Sequence, residues 1–208
     1  QRQGREPRAV TPAAGETVNA PRGLPEDPAP PPAPKSRRPA AAALLAQRLK
    51  ELGAGFRQVR GTAALARLLA AAGEPLVLED HPWLRRAAAA LAVLGLKPQF
   101  AGQGGPFQGG TAVSVALGAI PETGSVLVTS GRGPATDFTL RAARQVVLIP
   151  RGRHHLSLSQ ALELVRRQPP GMITMLTGLS RTTDIEKVLV LGAQGPKELE
   201  LVLYQGEE

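Results

Sequence analysis

The chain has 208 residues, 42% of them hydrophobic and 3% aromatic, with no cysteine and a formal net charge of +8. That length suits one α/β domain whose core is built from Leu, Val, Ile and Ala rather than from rings. Without cysteine, these residues cannot form a disulfide, a thiolate zinc site or a cysteine-ligated iron–sulfur cluster, and no apolar run reaches the roughly 18 residues of a transmembrane helix.

Residues 1–39 hold ten of the twenty prolines. The stretch Pro28-Ala29-Pro30-Pro31-Pro32-Ala33-Pro34 favours polyproline II and cannot enter a helix or sheet ladder. Its few large apolar residues (Val10, Val18, Leu24) cannot offset the entropy of ordering, so 1–39 reads as a disordered Pro/Arg-rich tail and 40–208 as the folded domain. The first forty residues lack an apolar stretch, so no signal peptide is expected and a cytoplasmic location is. They carry seven basic and four acidic groups. No helix shows a continuous basic face and no aromatics interleave with the arginines, so nucleic acid is not the expected partner.

From Ala40 the pattern is helical, with Leu44, Leu45, Leu49 and Leu52 recurring before Gly53. Phe56–Val59 reads as a strand. Thr62 is placed to cap a helix bearing Leu65, Leu68 and Leu69, with Gly73 past its end. Pro75–Leu78 is a buried strand, His81-Pro82-Trp83 opens a helix to Leu94, and Lys97–Phe100 is a further short strand. Gly102–Gly110 is glycine-rich but lacks a phosphate-loop pattern, so it reads as a connector.

Val113, Val115 and Leu117 alternate with small residues as in a half-buried strand, and Ile120–Ser125 turns the chain into Val126–Val128, a hairpin. Thr136 is placed to cap a helix over Asp137–Ala143. Gln145–Pro150 is a strand, Ser157 or Ser159 caps the next helix, and Met172–Leu176 and Leu199–Tyr204 are the last strands. Strands alternating with helices predict a mainly parallel sheet covered by helices.

Two segments carry candidate chemistry. Pro121-Glu122-Thr123-Gly124-Ser125 places a carboxylate at a strand-end turn, where ligands of open α/β sheets bind; Glu and Thr are also ordinary turn residues. Thr177–Glu186 crowds hydroxyls, Arg181 and two carboxylates after a strand, a turn able to present N–H groups and hydroxyls to an anion. The plainer reading there is Thr182 or Thr183 capping a short helix, with Arg181 paired to Glu186. His81, His154 and His155 have no partners at metal spacing, so no metal site is expected.

Ser180-Arg181-Thr182-Thr183-Asp184-Ile185-Glu186, followed by Leu189-Val190-Leu191-Gly192-Ala193-Gln194-Gly195-Pro196, resembles the C-terminal signature of the LUD (lactate-utilization) family, and Ala119–Ser125 is similar to its A-I-A-E-[TS]-G-[TS] segment. The resemblance covers about residues 55–205 and points to the short, single-domain members. It implies a three-layer Rossmann-like sheet of the NagB/RpiA/CoA-transferase-like type, with the hairpin near Glu122. It also implies a part in oxidising L-lactate to pyruvate together with iron–sulfur partner proteins, no cofactor being held by this chain itself. CoA transferases of the related fold use a Glu in a Glu-x-Gly turn, which nominates Glu122 as nucleophile or acid. Thr123, Gly124, Ser125, Gly178, Ser180, Arg181, Thr182, Asp184, Glu186, Gly192, Gln194 and Gly195 are then the candidates to hold a small anionic molecule. The chain departs from the family pattern at Val115-Ala116-Leu117 (for Gly-Ala-Asp), Leu179 (for Pro), Thr183 (for Ala) and Ala193-Gln194 (for Val-His). The lost acidic group and His imply an altered centre.

Overall fold

A computed structural model describes residues 38–103, 107, 109–130, 138–167, 172–179, 181–183, 189–191 and 195–206. The proline-rich tail through residue 37, the middle of the glycine-rich loop and the Thr136 cap fall outside them. In chain order the elements are α1 (Arg38–Glu51), β1 (Gly55–Arg60), α2 (Thr62–Ala70), β2 (Leu76–Leu78), α3 (Pro82–Val93), β3 (Gln99–Phe100), β4 (Thr111–Ile120), β5 (Ser125–Ser130), α4 (Phe138–Arg141), β6 (Arg144–Pro150), a 3-10 turn (Arg151–Arg153), α5 (Leu158–Arg167), β7 (Met172–Leu176), β8 (Arg181–Thr183), β9 (Leu189–Leu191) and β10 (Glu198–Gln205).

Six strands run parallel in the order β1-β10-β6-β4-β2-β3, and β5 and β7 extend the sheet antiparallel from the far half of β4. The central strands are apolar on both faces because both faces are covered. Val146, Leu148, Val202 and Tyr204 join Val113 and Val115 beneath α2 and α3. Val147, Ile149, Leu201 and Leu203 point the other way, onto Leu45 and Leu49 of α1 and Val126 and Val128 of β5. Each fully buried leucine contributes roughly 1.5–3 kcal/mol. The result is the helix-covered, mainly parallel sheet that the strand–helix alternation predicts, in the three layers that the family resemblance implies. No helix among the described residues is long and apolar enough to cross a membrane.

Several local expectations change. β4 is buried on both faces, not one, because its first half lies inside the parallel sheet and its second half under α5. The glycine in its second half is a packing need: a Cβ on Gly118 would sit 2.3 Å from Leu156 Cδ1. Gly61, at φ 79°, precedes α2 in the capping position, and Thr62 is already helical. Among the described residues the α4 helix covers Phe138–Arg141, so it ends before Ala143. Residues 181–183 form β8, paired antiparallel with β9, where a capped helix is the plainer sequence reading. Ser157 is the cap of α5: its hydroxyl accepts from Gln160 N at 3.2 Å while Gln160 Oε1 accepts from Ser157 N at 2.9 Å, a reciprocal capping box. His81 caps α3, its Nδ1 accepting from Trp83 N at 3.2 Å.

Candidate functional site

The hairpin joining β4 to β5 is closed by Pro121–Gly124, with Gly124 at φ 68°. It stands at the carboxyl end of β4. β7 runs antiparallel to β5 and therefore parallel to β4, with Val126 opposite Leu176. That register delivers Thr177 to Ser125. Thr123 Oγ1 donates to Ser125 Oγ at 2.8 Å, and Ser125 Oγ and Thr177 Oγ1 share a hydrogen bond of 2.7 Å. Three hydroxyls thus form a chain linking the two segments that the sequence singled out. Ser125 is 1% exposed. Glu122, Thr123 and Thr177 are exposed.

The last turn of α1 lies over this corner. A Cβ on Gly124 would meet Arg48 Cβ at 2.9 Å, and one on Gly178 (φ 81°) would meet Leu52 Cβ at 2.7 Å. Both positions need glycine for backbone conformation and for space. Of the other candidates, Arg181 and Thr182 lie on β8, opposite Leu191 and Val190. Ser180, Asp184, Glu186, Gly192 and Gln194 lie outside the described residues. Gly195 is not brought to the corner: Lys197 N, two residues on, bonds Ala143 O at 2.8 Å, at the amino end of β6 and so at the opposite edge of the sheet.

A second carboxylate, which sequence reasoning passed over, has the more unusual surroundings. β2 leads through α3 outward to β3, whereas β4 leads the other way to β6. The sheet therefore reverses direction between β2 and β4, and the carboxyl ends at such a reversal are where open α/β sheets take ligands. Glu79 stands there. Its backbone N–H bonds Val113 O at 2.8 Å, continuing the ladder. The next bond from β4, that of Val115 N–H, goes to the Glu79 carboxylate at 2.7 Å instead of to a main-chain carbonyl. Burial pushes this carboxyl up to about 7; the Val115 N–H opposes the rise and the Asp80 charge adds to it. Neighbouring Asp80 behaves oppositely, because Arg85 bonds it at 2.5 and 2.7 Å and holds it below the usual carboxylate range. Beyond them Trp83 packs edge-on against both His81 and Tyr204, at 5.1 Å between centroids in each case. The sequence signal for Glu79 was its place directly after a three-residue apolar strand and before a helix-opening His-Pro.

Arg153 and His154, after β6, are buried. The Arg153 guanidinium lies 3.4 Å from Leu117 O, beside the β4 irregularity between Ala116 and Gly118. Among the described residues no three His, Cys, Asp or Glu side chains come together as metal ligands.

Comparison with known proteins gives a family-model match in the C-terminal half of the chain. Residues 107–204 match the family model of the LUD domain, a stretch that contains both motif segments. Lactate utilization protein C of Anoxybacillus flavithermus (strain DSM 21510 / WK1) is 31% identical over 78 residues, 37% of this chain and 36% of that protein. The chain thus spans about a third of the length of that relative. The crystal structure of a DUF162 family protein from Deinococcus radiodurans aligns with a TM-score of 0.57 at 16% identity, covering 81% of this chain and 98% of that one. That likeness shows the fold, and it extends the shared architecture well beyond the stretch matched in sequence. Both motif segments lie inside the matched stretch, so the similarity of this chain to the LUD domain falls on residues 107–204.

Proposed function

We propose that this chain serves in lactate utilization as an accessory subunit of a system that oxidises L-lactate to pyruvate, acting with iron–sulfur partner proteins. The observation that carries this reading is the match of residues 107–204 to the LUD domain, supported by 31% identity to lactate utilization protein C over 78 residues. The absence of cysteine supports the division of labour: cysteine-ligated electron carriers would sit in the partners. The test is affinity purification of the tagged chain from lactate-grown cells, with growth on L-lactate after deletion of its gene. Co-purifying Cys-rich iron–sulfur proteins and lost growth are expected. A bait that returns alone, from cells whose deletion strain grows normally on L-lactate, overturns the proposal.

A second reading rests on the exposed Glu122 beside the hydroxyl chain: a CoA-transferase-like enzyme, or a binder of a small anionic molecule. In the enzymatic form the Glu122 carboxylate attacks an acyl-CoA thioester, the C–S bond breaks, CoA leaves as thiolate and an acyl–glutamyl anhydride remains. Hydroxylamine would then trap Glu122 as a hydroxamate visible by mass. An unmodified Glu122 after incubation with acetyl-CoA removes that form of the reading.

A further inference from the structure

The sheet has three edges among the described residues, and they are not alike. β1 carries Arg57 and Arg60, both exposed. β3 is only two residues long. Charges and shortness are the ordinary protections of an edge against pairing with another chain. β7 has neither: its five residues, Met172–Leu176, carry no charge and no proline, and among the described residues it pairs only with β5. Its side chains are open as well. Ile173 is 40% and Met175 48% exposed, and by register they share a face with Thr129 and Leu127. On that face Leu127 is covered by Leu156 and Ala161 of the α5 region. The cover ends before β7. Leu158 and Leu162, one turn apart on α5, are exposed at 49% and 54%, so among the described residues four of the seven exposed large hydrophobics fall on these two successive elements.

The strand also reads nearly the same in both directions about Thr174: Ile173 and Met175 flank it, then Met172 and Leu176. A second copy rotated by a two-fold axis through Thr174 meets it antiparallel in matched register. Ile173 then faces Met175 of the other copy, Met175 faces Ile173, and Thr174 faces Thr174. Such cross-strand apolar and Thr–Thr pairs are the stabilising units of a sheet. No charged residue lies in the seam, and an isologous contact of this kind closes at two copies. We propose that β7 is a self-association edge, through which two copies of this chain join their antiparallel extensions into one continuous sheet. In that register residue 172 of one copy lies beside residue 176 of the other, so each copy enters the seam next to the Thr177–Ser125 corner of its partner.

The lack of cysteine makes the seam directly readable. In the full chain, Thr174→Cys places the two thiols across the two-fold, within the separation a disulfide spans. Mild oxidation should link that variant into a dimer on a non-reducing gel far faster than Ala89→Cys, a control on the exposed side of α3. Sedimentation of the unmodified chain from micromolar to submillimolar concentration should show a monomer–dimer equilibrium. The double change Ile173→Lys with Met175→Lys should weaken it by about tenfold or more, as like charges come to face each other. Both side chains are exposed in the single chain, so the variant should keep its far-ultraviolet circular dichroism. A monomer at every concentration overturns the proposal. So does cross-linking no faster than the control, or a dimer indifferent to the two lysines. A monomer that instead binds an iron–sulfur protein through the same strand would assign the edge to a different occupant.

Discussion

Glu79 and Glu122 both stand at the carboxyl ends of neighbouring strands, and their surroundings are opposite. Glu79 is half-buried at the end of β2, takes the place of a backbone carbonyl for Val115 N–H, and has a carboxyl pushed up to about 7. Glu122 sits at the exposed tip of a hairpin, with an organised chain of hydroxyls behind it. The motif-bearing carboxylate is therefore the freely solvated one, and the carboxylate with acid–base character at neutral pH lies outside any motif. A family signature marks where chain geometry is shared, whereas a perturbed group is made by burial, and the two need not coincide.

The comparison is broken most forcefully at the scaffold of the hydroxyl corner. Gly178→Val forces a branched side chain into φ 81° and against Leu52 Cβ and O, which lie 2.7 and 3.0 Å from an ideal Cβ. A loss of about 3–4 kcal/mol in denaturant unfolding is expected. If the variant is as stable as the parent, α1 does not close over the corner as described.

Next in size is the pH response of Glu79. A folded-state value near 7 against 4.5 means that the folded chain holds this proton more tightly than the unfolded one. The associated stability is fully present below pH 4.5 and is lost as pH rises through about 7, amounting to up to roughly 3 kcal/mol. Glu79→Gln keeps an acceptor for Val115 N–H and cannot ionise. Its unfolding free energy relative to the parent should therefore climb between pH 4.5 and 8. Parallel curves for the two proteins would show that Glu79 is solvated and unperturbed.

What was legible in the sequence follows the same division. Apolar runs located β2, β6 and β10, because burial on both faces leaves a local imprint. Gly124-Ser125 after Pro121 marked the hairpin for its turn chemistry. Three features were not local. β4 belongs to the parallel sheet as far as Val115 and to the antiparallel extension from Ala116, and only the positions of β2 and β5 decide where it changes partner. The burial of Glu79 is set by that change. β8 and β9 are three residues each, too short for a period to show, so Thr182 and Thr183 read equally well as helix caps. The meeting of Ser125 with Thr177 is a register fact across 52 residues, and alternation within either strand says nothing about it.

Smaller effects sharpen the comparison. Ser125→Ala removes the central hydroxyl, leaving Thr123 and Thr177 to water, to each other or to the backbone. A loss of about 1 kcal/mol fits one buried hydrogen-bonded hydroxyl, and it should not vary between pH 5 and 8 because the three linked groups are all hydroxyls. A pH-dependent loss would mean that Glu122 is coupled to the hydroxyls.

Glu122→Gln should change least. The side chain is exposed and makes no cross-element bond among those described, so unfolding free energy should stay within about 0.5 kcal/mol of the parent at neutral pH. That neutrality is what gives the substitution its value. A carboxylate free of structural duty can be neutralised without disturbing Ser125, Thr177 or the α1 cover. Any loss of growth on L-lactate in a strain carrying only this change would then report chemistry or partner contact at the hairpin tip rather than misfolding. Growth equal to the parent, with stability unchanged, would leave the hairpin as scaffold and shift attention to the sheet reversal at Glu79.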